Sequence, residues 1–351
     1  MSADTYGADA PGFDTSNINV SGVHKKAISL IEGACRVIRG KREFLELLAA
    51  GIFAGGHILL EDYPGLGKTT VAKTIARLIT GENGTPLIFK RIQFTPDLLP
   101  YDITGVDIFD PQNRSFRFMP GPVLANIVLA DEINRTTPKV QSALLEVMAD
   151  GQVTIGDATH KPPEPFFVLA TENPVESEGT FPLPAAQLDR FMMRLSLGYP
   201  DRESELMILE ENPAGRILES LSPVMTAGDF MEIRGTVKKI FCHPSLKEAA
   251  ADIVRDTRIH RSFSLGVSPR GALHYLEAAK ALALVRGRNY ITDEDLLVLA
   301  IPVLGHRTRI RDTGGAVTAE KRLMEKHSLT RTDTVIREIA LARLERITNE
   351  N

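Results

Sequence analysis

The 351-residue chain predicts an α/β fold with a parallel sheet flanked by helices, followed by a small all-helical domain. Three observations lead there. Short apolar runs, "HILLED", "LIFKRI", "NIVLA" and "FFVLA", have the length of buried strands and alternate with helical periodicity, a pattern that implies a parallel sheet covered on both faces. The first run leads through a glycine-rich loop into a helix, and beyond about residue 222 the strand-like runs stop and only helical patterns remain.

Residues 1–20 are rich in Asp, Gly and Ser without apolar periodicity, which predicts a flexible tail. Helical patterns follow in "VHKKAISLIEGACRVI" and "KREFLELLAAGIFAG", and then the strand "HILLED". After the loop, Val71, Ile75, Leu78 and Ile79 share one face of a helix that Gly81 can terminate. "TPKVQSALLEVMADG" predicts a helix with Thr137 as its cap, Pro138 in its first turn and Gly151 at its end. In the helical part, Thr292 followed by Asp295 reads as a capping box. The last amphipathic stretch, "TAEKRLMEKHSLTRTDTVIREIALARLERI", predicts one or two helices docked on the body or on a neighbour. The expected division is a tail at 1–20, an α/β core at 21–222, a helical lid at 223–312 and a helical tail at 313–351.

Composition narrows the function. A net charge of -4 offers no electrostatic reason for a nucleic-acid or anionic-membrane partner, and there is no helix-turn-helix with a basic face. Two cysteines, Cys35 and Cys242, are too few for a disulfide framework or a thiolate metal site, as in a reducing compartment. No apolar run approaches the roughly 20 residues of a membrane helix, and the acidic N-terminus is unlike a signal peptide. The expected location is the cytoplasm. His160, His243 and His260 lack metal-ligand spacing.

"LLEDYPGLGKTTVAK" carries the clearest chemistry. Glycines let backbone N–H groups converge on an anion at a helix N-terminus, where the dipole also favours negative charge. Gly65, Leu66, Gly67, Lys68, Thr69 and Thr70 supply that pattern, with Lys68 reaching terminal phosphates and Thr69 a magnesium ion. The usual spacing would put another glycine at position 62, where this chain has Asp62. A carboxylate facing the phosphates would repel them, and one turned away would matter little. "NIVLADEINR" then puts Asp131 and Glu132 at the carboxyl edge of a strand, where open α/β sheets hold ligands. Asp131 can hold magnesium, and Glu132 can polarise an attacking water. "FFVLATENP" ends in Thr171 and Asn173 at a similar edge, so that Asn173 could orient that water. Arg190 in "LPAAQLDRF" and Arg270 in "SPRGALHYL" are guanidinium groups suited to phosphate charge developing during transfer.

In this order the set resembles an AAA+ ATPase, and more closely the MoxR family. The resemblance rests on "PGLGKT", "QFTPDLLPYDITG", "FRFMPGPVLANIVLADEINR", "PKVQSALLEVMADGQVTI", "LATENPVESEGTFPLPAAQLDRF" and "SPRGALHYLEAAKALAL", over about residues 24–305. It implies a hexameric ring that binds ATP/ADP with Mg2+, hydrolyses ATP, and remodels partner proteins or helps load metal or cofactor into them, often beside a von Willebrand A domain protein. Asn173 would be the first sensor, Arg270 the second sensor on the lid, and Arg190 the finger offered to the neighbouring subunit. Val37 and Ile38, with Gly40, match the segment beside the adenine, and the chain departs from the family pattern at Arg39 and Lys41. Two insertions read as hairpins, one turning at residues 110–113 and one at Gly156–Asp157, and the resemblance makes them candidates for partner contact. Two other readings stay open: the ATPase subunit of a metal-chelatase-like complex, and a low-turnover nucleotide-dependent scaffold suggested by Asp62.

Overall fold

The structure is a computed structural model describing residues 19–173, 179–311 and 330–350, so residues 1–18 of the expected N-terminal tail and part of the C-terminal one lie outside the described residues, while Asn19 and Val20 already cap and open the first helix. Five parallel strands form the central sheet: β1 (Ile58–Glu61), β2 (Phe89–Gln93), β3 (Ile127–Asp131), β4 (Phe167–Glu172) and β5 (Met193–Leu195), in spatial order β5-β1-β4-β3-β2. The four runs noted in the sequence are β1 to β4. Successive residues face opposite sides, so Ile58, Leu60, Ile127, Leu129, Phe167 and Leu169 enter one core and Leu59, Val128, Ala130, Val168 and Ala170 the other. Apolar residues on both faces explain why these segments read as continuous hydrophobic runs.

The first core also holds helices α1 (Val20–Cys35), α2 (Arg42–Phe53) and α3 (Lys68–Leu78); the second holds α4 (Pro138–Asp150). Of the lid helices α5 (Ala227–Val237), α6 (Pro244–Ile259), α7 (Pro269–Val285) and α8 (Asp293–Leu304), α7 packs on α2, and the lid's apolar side chains join the first core. The last helix, α9 (Arg331–Glu350), docks on α6 and α8, with Arg343 donating 2.6 and 2.8 Å bonds to Asp256.

Three local expectations change. Helix α3 stops at Leu78, before Gly81: Ile79 is extended and pairs with Met225 in a two-residue parallel ladder, which takes over the backbone hydrogen bonds there. Thr137 occupies the cap position of α4 without a side-chain capping bond, while Gly151 closes the helix in the left-handed conformation. The lid is helical apart from that ladder and an antiparallel pair, Phe263–Leu265 with Arg309–Ile310. The capping box at Thr292 and Asp295 forms as expected. Both insertions are hairpins, Gly105–Asp110 with Ser115–Pro120 and Val153–Ile155 with Ala158–His160. They are joined by the Phe118 ring stacked on His160 at 3.8 Å.

Candidate nucleotide site

Strand β1 delivers the chain to the glycine loop, and Asp62 is its first residue beyond the sheet. Its carboxylate is 4% exposed and points toward the chain leaving β5. Oδ1 accepts from Ser196 Oγ at 2.8 Å and from the Gly198 N–H at 3.2 Å, and Oδ2 accepts from the Leu197 N–H. The acid therefore faces away from the loop and ties it to the adjacent strand end. Gly65 and Gly67 have φ of +84° and +90°, a region where L side chains are strained, and nothing lies within 4 Å of where a Gly65 Cβ would stand. Gly67 caps α3, so the amides of Lys68, Thr69 and Thr70 open the helix. Lys68 Nζ donates to the carbonyls of Asp62 (2.5 Å) and Tyr63 (2.9 Å). Burial pushes its pKa down, against the opposing pull of Asp62, Asp131 and Glu132. Leu66 packs against the first core.

Two strands away in the sheet, β3 ends in the acids. Asp131 Oδ1 accepts from Thr171 Oγ1 at 2.7 Å, and Oδ2 from Arg91 Nε and Nη2 at 3.0 and 2.6 Å. Thr171 Oγ1 also accepts from the Glu132 N–H at 2.8 Å, so one hydroxyl on β4 positions both acids. Glu132 sits in the left-handed region (φ 58°, ψ 51°), a placement costing a non-glycine residue about 1 kcal/mol or more. Its carboxylate meets Gln93 Nε2 at 2.9 Å and Arg135 Nε at 3.1 Å. Asn173 is buried at the end of β4, and its carbonyl accepts from Asn134 Nδ2 at 3.4 Å. Lys68, Asp131, Glu132 and Asn173 thus gather at the carboxyl edge of β1, β3 and β4.

The segments that carry the two arginines are tied to each other by side-chain bonds. Arg190 Nη1 donates to the Leu145 carbonyl, and its neighbour Asp189 accepts from Ser268 Oγ at 3.0 and 2.9 Å. Ser268 caps α7, whose first turn carries the exposed Arg270. Val37 and Ile38 are buried just beyond α1. The two departures beside them serve internal ties: Arg39 pairs with Glu211 at 2.5 Å, and Lys41 Nζ donates to the Tyr199 carbonyl at 2.7 Å. The Tyr63 and Tyr199 rings lie 6.0 Å apart.

Sequence reasoning missed Arg91 and Gln93, which support the two acids. Their alternate spacing in "FKRIQF", at the end of the strand next to β3, was the available signal. It also missed Arg307, which pairs with Asp189 at 2.9 Å from 118 positions away and left no local signal.

A five-stranded parallel sheet with a phosphate loop after β1, paired acids after β3 and a helical lid defines an AAA-type P-loop nucleotide-binding protein. Residues 57–193 match the model of the ATPase family associated with various cellular activities (AAA), and residues 255–326 match the AAA lid domain. The chain is 48% identical over 277 residues to the uncharacterized protein YeaC of Bacillus subtilis, covering 79% of this chain and 85% of that one. It is 40% identical over 281 residues to Chaperone MoxR1 of Mycobacterium tuberculosis, covering 78% and 72%. A crystal structure of a candidate ATPase from Cytophaga hutchinsonii superposes with a TM-score of 0.78 at 38% identity, covering 91% of this chain and 94% of that one. The chain belongs to the MoxR family of AAA+ ATPases.

Proposed function

We infer that the protein hydrolyses ATP in a ring of its own copies and uses the cycle to remodel partner proteins. The observation that carries this reading is the convergence of Lys68, Asp131 and Glu132 on one sheet edge, with Thr171 bonded to both acids. The residues fit the substrate: a loop with open space at Gly65 leads into a helix whose amides can take phosphate oxygens. They also fit magnesium, because three donors on the roughly four lone-pair sites of the Asp131 carboxylate leave one for the ion or its water. Thr69 supplies the second oxygen. When bound, the ion neutralises phosphate charge.

Lys68 then leaves the two loop carbonyls for the terminal phosphates. Glu132, steadied by Gln93 and Arg135, accepts the proton of the attacking water, and Asn173 orients that water. Val37 and Ile38 flank the base. Arg190 serves phosphate charge at an adjoining subunit and Arg270 acts as the second sensor on the lid, a reading supported by the bonds from Ser268 to Asp189 that tie the Arg190 segment to the start of α7. Because the Asp62 carboxylate is occupied elsewhere, it gives no support to a low-turnover scaffold.

For client contact the strongest support is the first hairpin, which exposes Val106, Ile108, Phe109, Phe116 and Met119, Phe116 at 72%. A von Willebrand A domain protein or another client would dock there. Among the described residues no helix is long and apolar enough to cross a membrane; the cysteine usage supports work in the cytoplasm. Steady-state phosphate release by wild type that disappears in Glu132→Gln, with nucleotide affinity retained, is the expected result. Equal rates in the two proteins would defeat the reading.

A further inference from the structure

Arg307, 3% exposed, is the buried guanidinium at the junction of core and lid. Its Nε donates to Asp189 Oδ1 at 2.9 Å, Nη2 reaches the carbonyls of Asp189 (3.2 Å) and Phe191, and Nη1 reaches those of Met192 (3.2 Å) and Val303. Nη2 also lies 2.6 Å from His274 Nδ1 on α7, and Nη1 lies 2.8 Å from His306 Nε2. This one side chain grips the backbone on both sides of Arg190. Through the Asp189 carboxylate it also grips Ser268, two residues before Arg270. Burial, with Arg307 next in order of effect, holds the imidazole of His274 down to about 4 and that of His306 well below its ordinary range, so both remain neutral and the guanidinium keeps its charge for Asp189. A buried ion pair is seldom more stabilising than well-packed apolar residues of the same volume. What it does supply here is direction: planar, forked hydrogen bonds to fixed partners.

We propose that Asp189 and Arg307 are positioning residues that yoke the Arg190 segment to the N-terminus of α7, so that Arg190, facing an adjoining subunit's phosphates, and Arg270 on the lid are set as one unit while the lid is docked on the core. Neither positioning residue touches nucleotide. The proposal rests on the reading above that Arg190 acts across a subunit boundary.

The test uses full-length Asp189→Asn, Ser268→Ala and Arg307→Lys, each checked for its unfolding midpoint, nucleotide affinity and hydrolysis, alone and mixed with Glu132→Gln. Glu132→Gln subunits keep intact arginines but cannot hydrolyse, and Arg190→Ala is the reference. Asp189→Asn, which retains an acceptor for Ser268, is expected to lower hydrolysis about tenfold or more at unchanged nucleotide affinity, with a smaller loss in Ser268→Ala. Mixing with Glu132→Gln should restore activity to both Asp189→Asn and Arg190→Ala, because the mixing partner supplies a correctly held Arg190. Wild-type hydrolysis in Asp189→Asn overturns the proposal. So does a loss that mixing rescues for Arg190→Ala but not for Asp189→Asn, since that marks general structural damage. Absence of rescue for Arg190→Ala overturns the cross-subunit reading and the proposal with it. Should Arg307→Lys fail to fold, Asp189→Asn and Ser268→Ala still decide the outcome.

Discussion

Asp62 interrupts the usual glycine spacing of the phosphate loop, yet its carboxylate is the acceptor for three donors at the exit of β5. Removing it leaves the buried Leu197 amide and the partly buried Gly198 amide without their acceptor, while the exposed Ser196 hydroxyl can turn to water. Asp62→Ala should therefore lose about 2–4 kcal/mol of stability in urea unfolding. Asp62→Gly should not tighten nucleotide binding, and a marked gain in titration would show that the charge does reach the phosphates. Thr171 is the second decisive residue: Thr171→Val removes both bonds that align Asp131 and Glu132, and hydrolysis should fall about ten- to a hundredfold with nucleotide affinity retained. A third residue, His57, bridges the sheet and α4, accepting from the Val168 N–H at 3.0 Å and donating to the Met148 carbonyl at 3.0 Å. That pairing requires a neutral ring, and burial first of all lowers its pKa from 6.5 to about 4. The unfolded chain takes up the proton first as pH falls. His57 thus contributes fully above about pH 6.5 and loses roughly 1.4 kcal/mol of stability per pH unit on acidification toward about 4. Urea unfolding between pH 7 and 4.5 should show a shallower slope in His57→Gln; an unchanged slope would assign the acid sensitivity to other groups.

Among the elements, β1 to β4 and the lid helices were legible because their signals are local, whereas the three-residue β5 is too short to show a pattern of its own. Buried runs such as "NIVLA" need both faces covered, and the Thr292 and Asp295 spacing is a capping box wherever it occurs ahead of a helix. What spacing did not reveal is that Asp295, fully buried, also accepts from Arg288 at 2.7 and 2.6 Å and from Arg286 at 3.3 Å. Asp295→Ala removes the cap and leaves Arg288 without its counter-charge, so it should cost about 3–5 kcal/mol, with loss of protection in α8 by hydrogen exchange. A loss below about 1 kcal/mol would mean the arginines find water instead. The end of α3 was illegible for the opposite reason: Gly81 is a plausible stop, but pairing of Ile79 with Met225, remote in sequence, ends the helix earlier.

For the whole molecule, the cross-subunit reading makes hydrolysis a property of the assembly. Activity per subunit should rise with protein concentration until the ring is filled, and Arg190→Ala should bind nucleotide normally while hydrolysing it slowly. Concentration-independent turnover by wild type would place the complete site in one chain. Arg307 also links the lid, which packs on α2, to the core: its guanidinium bonds residues 189, 191 and 192.

The identities of β1 to β4 and of the lid helices, the phosphate loop, the paired acids and the motifs that carry the family each follow from residues within a few positions of one another, because hydrogen-bond periodicity and loop geometry are set by the nearest neighbours in the chain. The direction of the Asp62 carboxylate, the support of Asp131 by Arg91 and the bonds that tie Asp189 to Ser268 and Arg307 belong to the tertiary structure alone. Each depends on groups from separate strands and helices meeting around a carboxylate withdrawn from solvent, where an unpaired charge or amide is costly and packing selects the partner.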